Sequence, residues 1–481
     1  MRSFSTSIPM PQKAVWALLL CAALPVVSVL DGCSGSSAGS STTSTTAATT
    51  SVQMNIGDSP ADWMLAFSMN IASMTLTGAN GTTTVVSSST PTEMMHLMGS
   101  MQPLTLMSIP QGTYTGASIT IGSASVMYMD PTTKSVVQST ISGPMTGNVT
   151  FGTPVTVGST PMSMGFDLNL ASSVTQSGSS LSMTPVFTMT SSTQTASNPM
   201  DFANGAIYQM MGSVSSVSGS TFTMTSMQAA KSMSFTTNSS TTFTGTSASM
   251  SAMASGTMVL VDASLQTDGT LLASRVQSMG GSGGVMSGGM VTVVAGTPAT
   301  SIDMTMHNGT GTGMMSSYLA AGAAVTLNSS TTYQMDTDQV SMTGLPFTPV
   351  FDASHVYAGQ SVLPIGTGSM MSGGMGSGMM SSNSMAGTMT ASELMLEPQS
   401  LTGTAGAAIS SGTATSFTLT LPADSAFTSL TGATSILVYQ QQQTVVAGSA
   451  TIASGTSVHG MGLLFYDGGQ WKMVAARIAA S

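Results

Sequence analysis

Side chains able to do chemistry are few in this sequence, and they sit in unusual places. Cysteine occurs twice in 481 residues, at Cys21 and Cys33, while methionine occurs 46 times. Most methionines alternate along strand-like segments where Leu, Ile or Val would serve, and there they read as flexible core filler. Two runs differ. MGGSGGVMSGGM (Met279–Met290) and MMSGGMGSGMMSSNSM (Met370–Met385) set thioethers in Gly/Ser spacers with nothing apolar to pack against. Met370, Met371, Met375, Met379, Met380 and Met385 make a soft donor set suited to Cu(I), or a sink for oxidants. The bland alternative is a flexible insertion in a chain that uses Met everywhere. MMHLMGSM (Met94–Met101) adds His96 to the soft donors. Asp58 and Asp62 in GDSPAD offer two carboxylates to a calcium ion. Alternatively, they belong to a Pro-containing turn in which Asp accepts backbone amides.

No catalytic grouping stands out. The pattern G-x-S-x-G occurs at 35–39 and 280–284, both in low-complexity runs rather than at a strand-to-helix turn. His96, His307, His355 and His459 are scattered without triad or ligand spacing, and no phosphate-binding Gly-rich loop ending in Lys exists. The sequence therefore predicts a protein that is not an enzyme.

The elements around Cys33 explain its place. Arg2 and Lys13 precede AVWALLLCAALPVVSVL, Ala14–Leu30, an apolar run interrupted by Pro25 and followed by small residues. That order is an export signal; its rival is an uncleaved membrane helix, for which the run approaches the roughly 20 residues needed. Leu30-Asp31-Gly32-Cys33 resembles the lipobox of bacterial lipoproteins, departing from it at Asp31. The resemblance implies a signal peptide over 1–32, a diacylglycerol on the Cys33 sulfur, and an acylated amino terminus. Two or more chains anchor stably where one is marginal. By the same resemblance, Ser34 implies transfer to the outer membrane. Residues 33–51, rich in Ser and Thr, have no hydrophobic periodicity and read as a tether with a reach of roughly 20–25 Å.

Composition excludes partners as much as it suggests them. The net charge is −10 and only 5% of residues are charged; losing Arg2, Lys13 and Asp31 with the leader makes the mature chain about −11. Nucleic acid would find no basic patch. Aromatics are 5% of the chain, too few for the girdles of an outer-membrane barrel. Regular alternation of large apolar residues argues against disorder.

That alternation has a period of two. VQMNI, FSMNI, ASITI and MSMGFDLNL each place apolar residues on one face, with Gly, Pro and Asn between the runs. Over 52–198 the pattern predicts a β-sandwich. GDSPAD (Gly57–Asp62), IPQGTYTGASITI (Ile109–Ile121), FDLNLASSV (Phe166–Val174) and LSMTPVF (Leu181–Phe187) resemble a domain family of unknown function found in bacterial envelope lipoproteins. The resemblance implies a sandwich and no activity.

Three related units follow, at 205–279, 289–397 (with a Met/Gly/Ser-rich insertion over 366–386) and 401–481. NSSTTF (Asn238–Phe243) recurs as NSSTTY (Asn328–Tyr333). Gly-led strands begin at Gly256, Gly359 and Gly455, and closing strands follow at Asp268, Gly387 and Asp467. FTMT, IDMTM and FTLTL, at Phe222, Ile302 and Phe417, read as the opening strands. Asp-Gly supplies the positive φ of a tight hairpin. These units resemble a second bacterial family of unknown function, a small OB-like barrel of five or six strands. Barrels of that look bind single strands or sugars through aromatics and basic grooves, and this chain is poor in both.

The predicted class is all-β: an N-terminal β-sandwich, then three small OB-like β-barrel units with Gly/Ser/Met-rich loops. The expected function is non-enzymatic, a lipid-anchored envelope protein that binds an envelope protein or glycan or serves structurally. The alternative is capture of Cu(I) or Ag(I) by loop methionines.

Overall fold

Alternation is realised as strand in nearly every segment that shows it. A computed structural model describes residues 47–481, except 60, 88–89, 95–100, 131–132, 134, 179, 195–204, 227–230, 246, 280–287, 306–321, 371–386, 412–413, 448–451 and 481. The chain is all-β, and the only α-helices among the described residues are two short turns.

The first body holds β1 (Thr49–Ser59), β2 (Met64–Gly78), β3 (Gly81–Val86), β4 (Thr90–Glu93), β5 (Met101–Pro110), β6 (Gly112–Met129), β7 (Val136–Val157) and β8 (Met162–Asn169). Then come α1 (Leu170–Ser173), the hairpin β9 (Val174–Ser177) and β10 (Ser180–Met183), and β11 (Phe187–Thr193). One sheet runs β11-β8-β1-β5, with β1 and β8 parallel; the other runs β3-β2-β6-β7, with β4 also on β2. They enclose one core in which Val52, Met54, Ile56, Phe67, Met69, Ile71, Ile119, Ile121 and Phe166 are buried, the faces expected from the alternation. β1 starts three residues inside the segment read as tether. Thr49–Ser51 pair with Ser108–Pro110, since Thr suits a strand once a neighbour supplies the ladder.

The alternation leaves the polar Gln53 and Asn55 on the other face of β1. Both are buried, joined Gln53 Nε2 to Asn55 Oδ1 at 2.8 Å and Asn55 Nδ2 to Ser163 Oγ at 2.7 Å. The first barrel covers Gln53: Gly205 abuts it, and Leu106 of β5 packs on that barrel's core.

That barrel comprises β12 (Ala206–Ser218), β13 (Thr221–Ser226), β14 (Ser232–Thr236), β15 (Thr242–Gly245), β16 (Met258–Leu265) and β17 (Leu271–Met279). The second comprises β18 (Gly289–Ala295), β19 (Ser301–Thr305), β20 (Gly322–Thr326), β21 (Thr332–Met335), β22 (Ser361–Met370) and β23 (Gly387–Leu396). The third comprises β24 (Gln399–Ala405), β25 (Ile409–Ser411), β26 (Ala414–Thr420), α2 (Ala426–Thr431), β27 (Ser435–Gln440), β28 (Val445–Ala447), β29 (Ser457–Asp467) and β30 (Gln470–Ala480). In the first, β12-β13-β14-β17-β16 closes on itself, β14 meeting β17 in parallel. The rings β18-β19-β20-β23-β22 and β24-β26-β27-β30-β29 repeat that order. The strands FTMT, IDMTM and FTLTL are therefore second in each ring, after β12, β18 and β24. Residues 366–370, expected in an insertion, extend β22 opposite β23, from Gly366↔Ala391 to Met370↔Gly387. Gly269 and Gly468 hold φ of +83° and +61° at the Asp-Gly turns, as the hairpins require.

A shared lock explains the NSSTT repeat. Asn238 and Asn328 each accept, through Oδ1, the amide two residues on at 2.8 Å. Thr241 and Thr331 then donate their hydroxyls to Ala273 O at 2.7 Å and Ala391 O at 2.8 Å. The third barrel does the same from a different sequence: in Gln441-Gln442-Gln443-Thr444, the Thr444 hydroxyl reaches Ala475 O at 2.7 Å. The turn folds β15, β21 and β28 back onto the strand that closes each ring. Thr331→Val or Thr444→Val, leaving a buried carbonyl unpaired, is expected to cost about 1–2 kcal/mol in denaturant midpoint, with Ser at either site restoring most of it.

Ala47–Ser481 forms one compact unit. Leu463, Phe465, Val474 and Ala476 of the third barrel join the core of the second. Met211, Leu260 and Met279 of the first meet Leu363 and Met395 of the second. Leu65, Ala66 and Met127 of the sandwich meet Ala426 of the third, so contacts return from the last body to the first.

Candidate functional site

The residues singled out from the sequence are dispersed. Cys33 lies outside the described residues, as do Met371, Met375, Met379, Met380 and Met385; Met370 ends β22. Of MMHLMGSM, Met94 is buried in the sandwich core and Met101 begins β5, while His96 lies outside the described residues. His307 and both G-x-S-x-G runs are outside as well. Asp58 is fully buried on β1 in register with Leu168. Asp62, in the turn before β2, points to the third barrel, where its Oδ1 accepts the Thr402 amide at 3.3 Å. Asp58 and Asp62 thus lie in different surroundings, and the amide that Asp62 accepts comes from a residue 340 positions away. Among the described residues no three His, Cys, Asp or Glu side chains are grouped to hold a metal.

A stretch that drew no notice in the sequence organises the molecule. The link from β21 to β22 spans 336–360, whereas its counterparts span 246–257 and 448–456. It contains no helix or strand, yet Val340, Phe351 and Val356 are buried. Long irregular loops held this firmly are uncommon and usually carry function. Phe347 packs between Tyr439 at 5.4 Å and Phe465 at 6.0 Å, with Lys472 Nζ 4.6 Å from its ring centroid. Gln441 clasps the same loop, accepting from Ser341 N at 3.3 Å and donating to Thr343 O at 2.8 Å.

At its start the loop meets the first barrel through charge. Arg275 Nε lies 2.8 Å from Asp262 Oδ2, and Arg275 Nη1 contacts Asp338. Gln209 donates its backbone amide to Asp262 Oδ1 at 2.7 Å and its side chain to Asp336. Burial, then Asp338, pushes the Asp336 carboxyl up to about 7, against the pull of Arg275. Glu397 keeps some solvent contact but is enclosed on most sides; burial, then Asp336, pushes it up to about 8. Burial opposes the Arg275 charge, while Asp262, Asp338 and Asp336 outweigh it and raise its pKa. The signals in sequence were slight: DTD at 336–338, and one of the few arginines.

Further along, residues 353–358 face Thr292–Ala299 across an open cleft of 480 Å³. Among the described residues no charged side chain lines it; Thr292, Thr297 and Ser354 bring hydroxyls, Val293 an exposed apolar surface, and Tyr357 a ring. Tyr357 is held edge-on by Tyr466 at 5.1 Å and Trp471 at 6.0 Å, and Phe427 lies 5.1 Å behind Trp471. Four rings thus gather beside this cleft in a chain with little aromatic content. Next to it, His355 Nδ1 pairs with Asp352 Oδ1 at 2.7 Å. His459 sits apart, between Ser400 Oγ at 2.8 Å and Thr402 Oγ1 at 3.0 Å.

Residues 211–277 match a family model described as a domain of unknown function, DUF5666. The match runs from within β12 to within β17, and the second and third barrels repeat its strand order. No curated protein matches the chain.

Proposed function

We propose that this protein is a lipid-anchored component of the bacterial cell envelope, carried at the outer membrane on Cys33, which works by binding or scaffolding and not by catalysis. The observation that carries this reading is the junction itself: an apolar leader, Leu30-Asp31-Gly32-Cys33, a short Ser/Thr run, and a folded body starting at Thr49. A tether over 34–48 has a root-mean-square reach of about 20 Å, which keeps the body close to the surface that the lipid enters. Four β-bodies locked by contacts from last to first suit a rigid platform. Envelope proteins and glycans are the partners such a platform would meet.

Metabolic labelling tests the anchor. In a bacterial host fed alkyne-palmitate, the full chain is expected to take label and to fractionate with membranes. Cys33→Ser is expected to lose the label and leave the membrane fraction. Label that persists in the variant, or wild-type protein without label, rejects the anchor.

A further inference from the structure

We propose that the cleft between Thr292–Ala299 and Ala353–Ala358 is a binding site for a neutral saccharide, one or two sugar rings in length. The inference rests on the envelope reading only for where the ligand is met. Its first support is the loop: of three barrels with one strand order, only the second lengthens this link, and the added chain builds one wall of the cleft. Its second support is size, since 480 Å³ lies within the roughly 300–1,000 Å³ typical of small-ligand sites.

Chemistry narrows the class. A charged ligand entering this site would lose hydration with no opposite charge among the described lining residues to meet it. A sugar needs none. Its hydroxyls pair with the hydroxyls of Thr297 and Ser354 and with backbone groups, while its C–H face suits the ring of Tyr357 and the apolar Val293. Tyr357 is pre-set for this task by Tyr466 and Trp471, so little side-chain freedom is lost on binding. Tyr466, 37% exposed, adds aromatic surface beside Tyr357. A peptide would more naturally use charge or an open strand edge, and among the described residues the cleft walls carry no charged side chain.

The test is a calorimetric and NMR titration of the full-length chain in detergent with three neutral probes, maltotriose, cellotriose and triacetylchitotriose, at up to about 10 mM. At least one is expected to bind. Tyr357→Ala is expected to weaken binding tenfold or more. Because that ring also packs against its neighbours, Val293→Trp is the second variant: Val293 is 52% exposed, so filling the cleft there should block binding and leave the melting temperature unchanged. Val217→Trp on the first barrel should change nothing. No binding by any probe, or binding indifferent to Val293→Trp, overturns the proposal. Cys33→Ser protein should bind as wild type, so failure of the anchor and failure of the cleft are read separately.

Discussion

Replacing Arg275 by methionine is expected to destabilise the protein by about 3 kcal/mol, in the range found when one partner of a largely buried ion pair is removed. The Arg275 and Asp262 side chains are only 18% and 13% exposed. Without the guanidinium, Asp262, Asp336, Asp338 and Glu397 would crowd a junction holding no compensating cation among the groups described there. The loss would spread. Asp262 fixes the Gln209 amide in a left-handed backbone conformation, φ +50°, that non-glycine residues adopt at a cost. The measurement is a urea midpoint at pH 7.5, with hydrogen exchange over 206–212 and 336–340. Exchange there should rise well before the sandwich core opens. Asp262→Asn combined with Arg275→Met should recover part of the loss, because charge left unpaired, and not missing packing, carries most of the penalty. A single variant as stable as wild type would remove the junction from the account.

Much of the fold was legible because a strand writes its period into its own residues. The buried faces of VQMNI, FSMNI and ASITI were correct residue by residue, and Asp-Gly marked two hairpins. What the sequence hid depends on chain from elsewhere. Gln53 and Asn55 alternate like solvent-facing residues, and no local rule says that Ser163 and the first barrel will bury them. The third lock, Gln441-Gln442-Gln443-Thr444, shares only its threonine with NSSTT, yet the hydroxyl finds the equivalent carbonyl. The loop 336–360 has no periodicity at all; its order comes from Phe347 and Tyr357 gripping the third barrel and from Gln441 of that barrel holding Ser341 and Thr343. Asp58 and Asp62 are neighbours in sequence with separate surroundings, whereas Arg275 and the Asp336–Asp338 pair, which nothing in the sequence singled out, are remote from each other and meet.

Stability should fall as pH rises from about 5 to 8, the reverse of a protein dominated by paired carboxylates. Asp62 is raised from 3.8 to about 7, by burial first, with Asp424 adding repulsion, against the hydrogen bonds from the Thr402 amide and hydroxyl. Asp336 and Glu397 are raised to about 7 and about 8. Between the ordinary carboxylate range and these values the folded chain keeps protons that the unfolded chain has released. Its stability therefore is fully present below about pH 4 and drains away as pH climbs through 7 to 8. A full three-unit shift corresponds to about 4 kcal/mol; allowing for the solvent that reaches Asp62 and Glu397, about 2 kcal/mol at each junction is a fair expectation. Asp268 and Asp352, lowered by hydrogen bonds from Thr270 and from His355 and Ser354, act with the opposite sign but below about pH 4, outside this window. Asp62→Asn keeps an acceptor for the Thr402 amide and should flatten the profile by the share of the sandwich–third-barrel junction. Glu397→Gln should do so for the junction between the first and second barrels. Arg275→Met should steepen the wild-type slope, since the guanidinium, after the Asp338 backbone amide, draws Asp336 down. Urea midpoints at pH 5 and pH 8 decide it: a wild-type midpoint that is flat or higher at pH 8 would show that these carboxylates are ionised in the folded protein and that both junctions are held by charge instead of by shared protons.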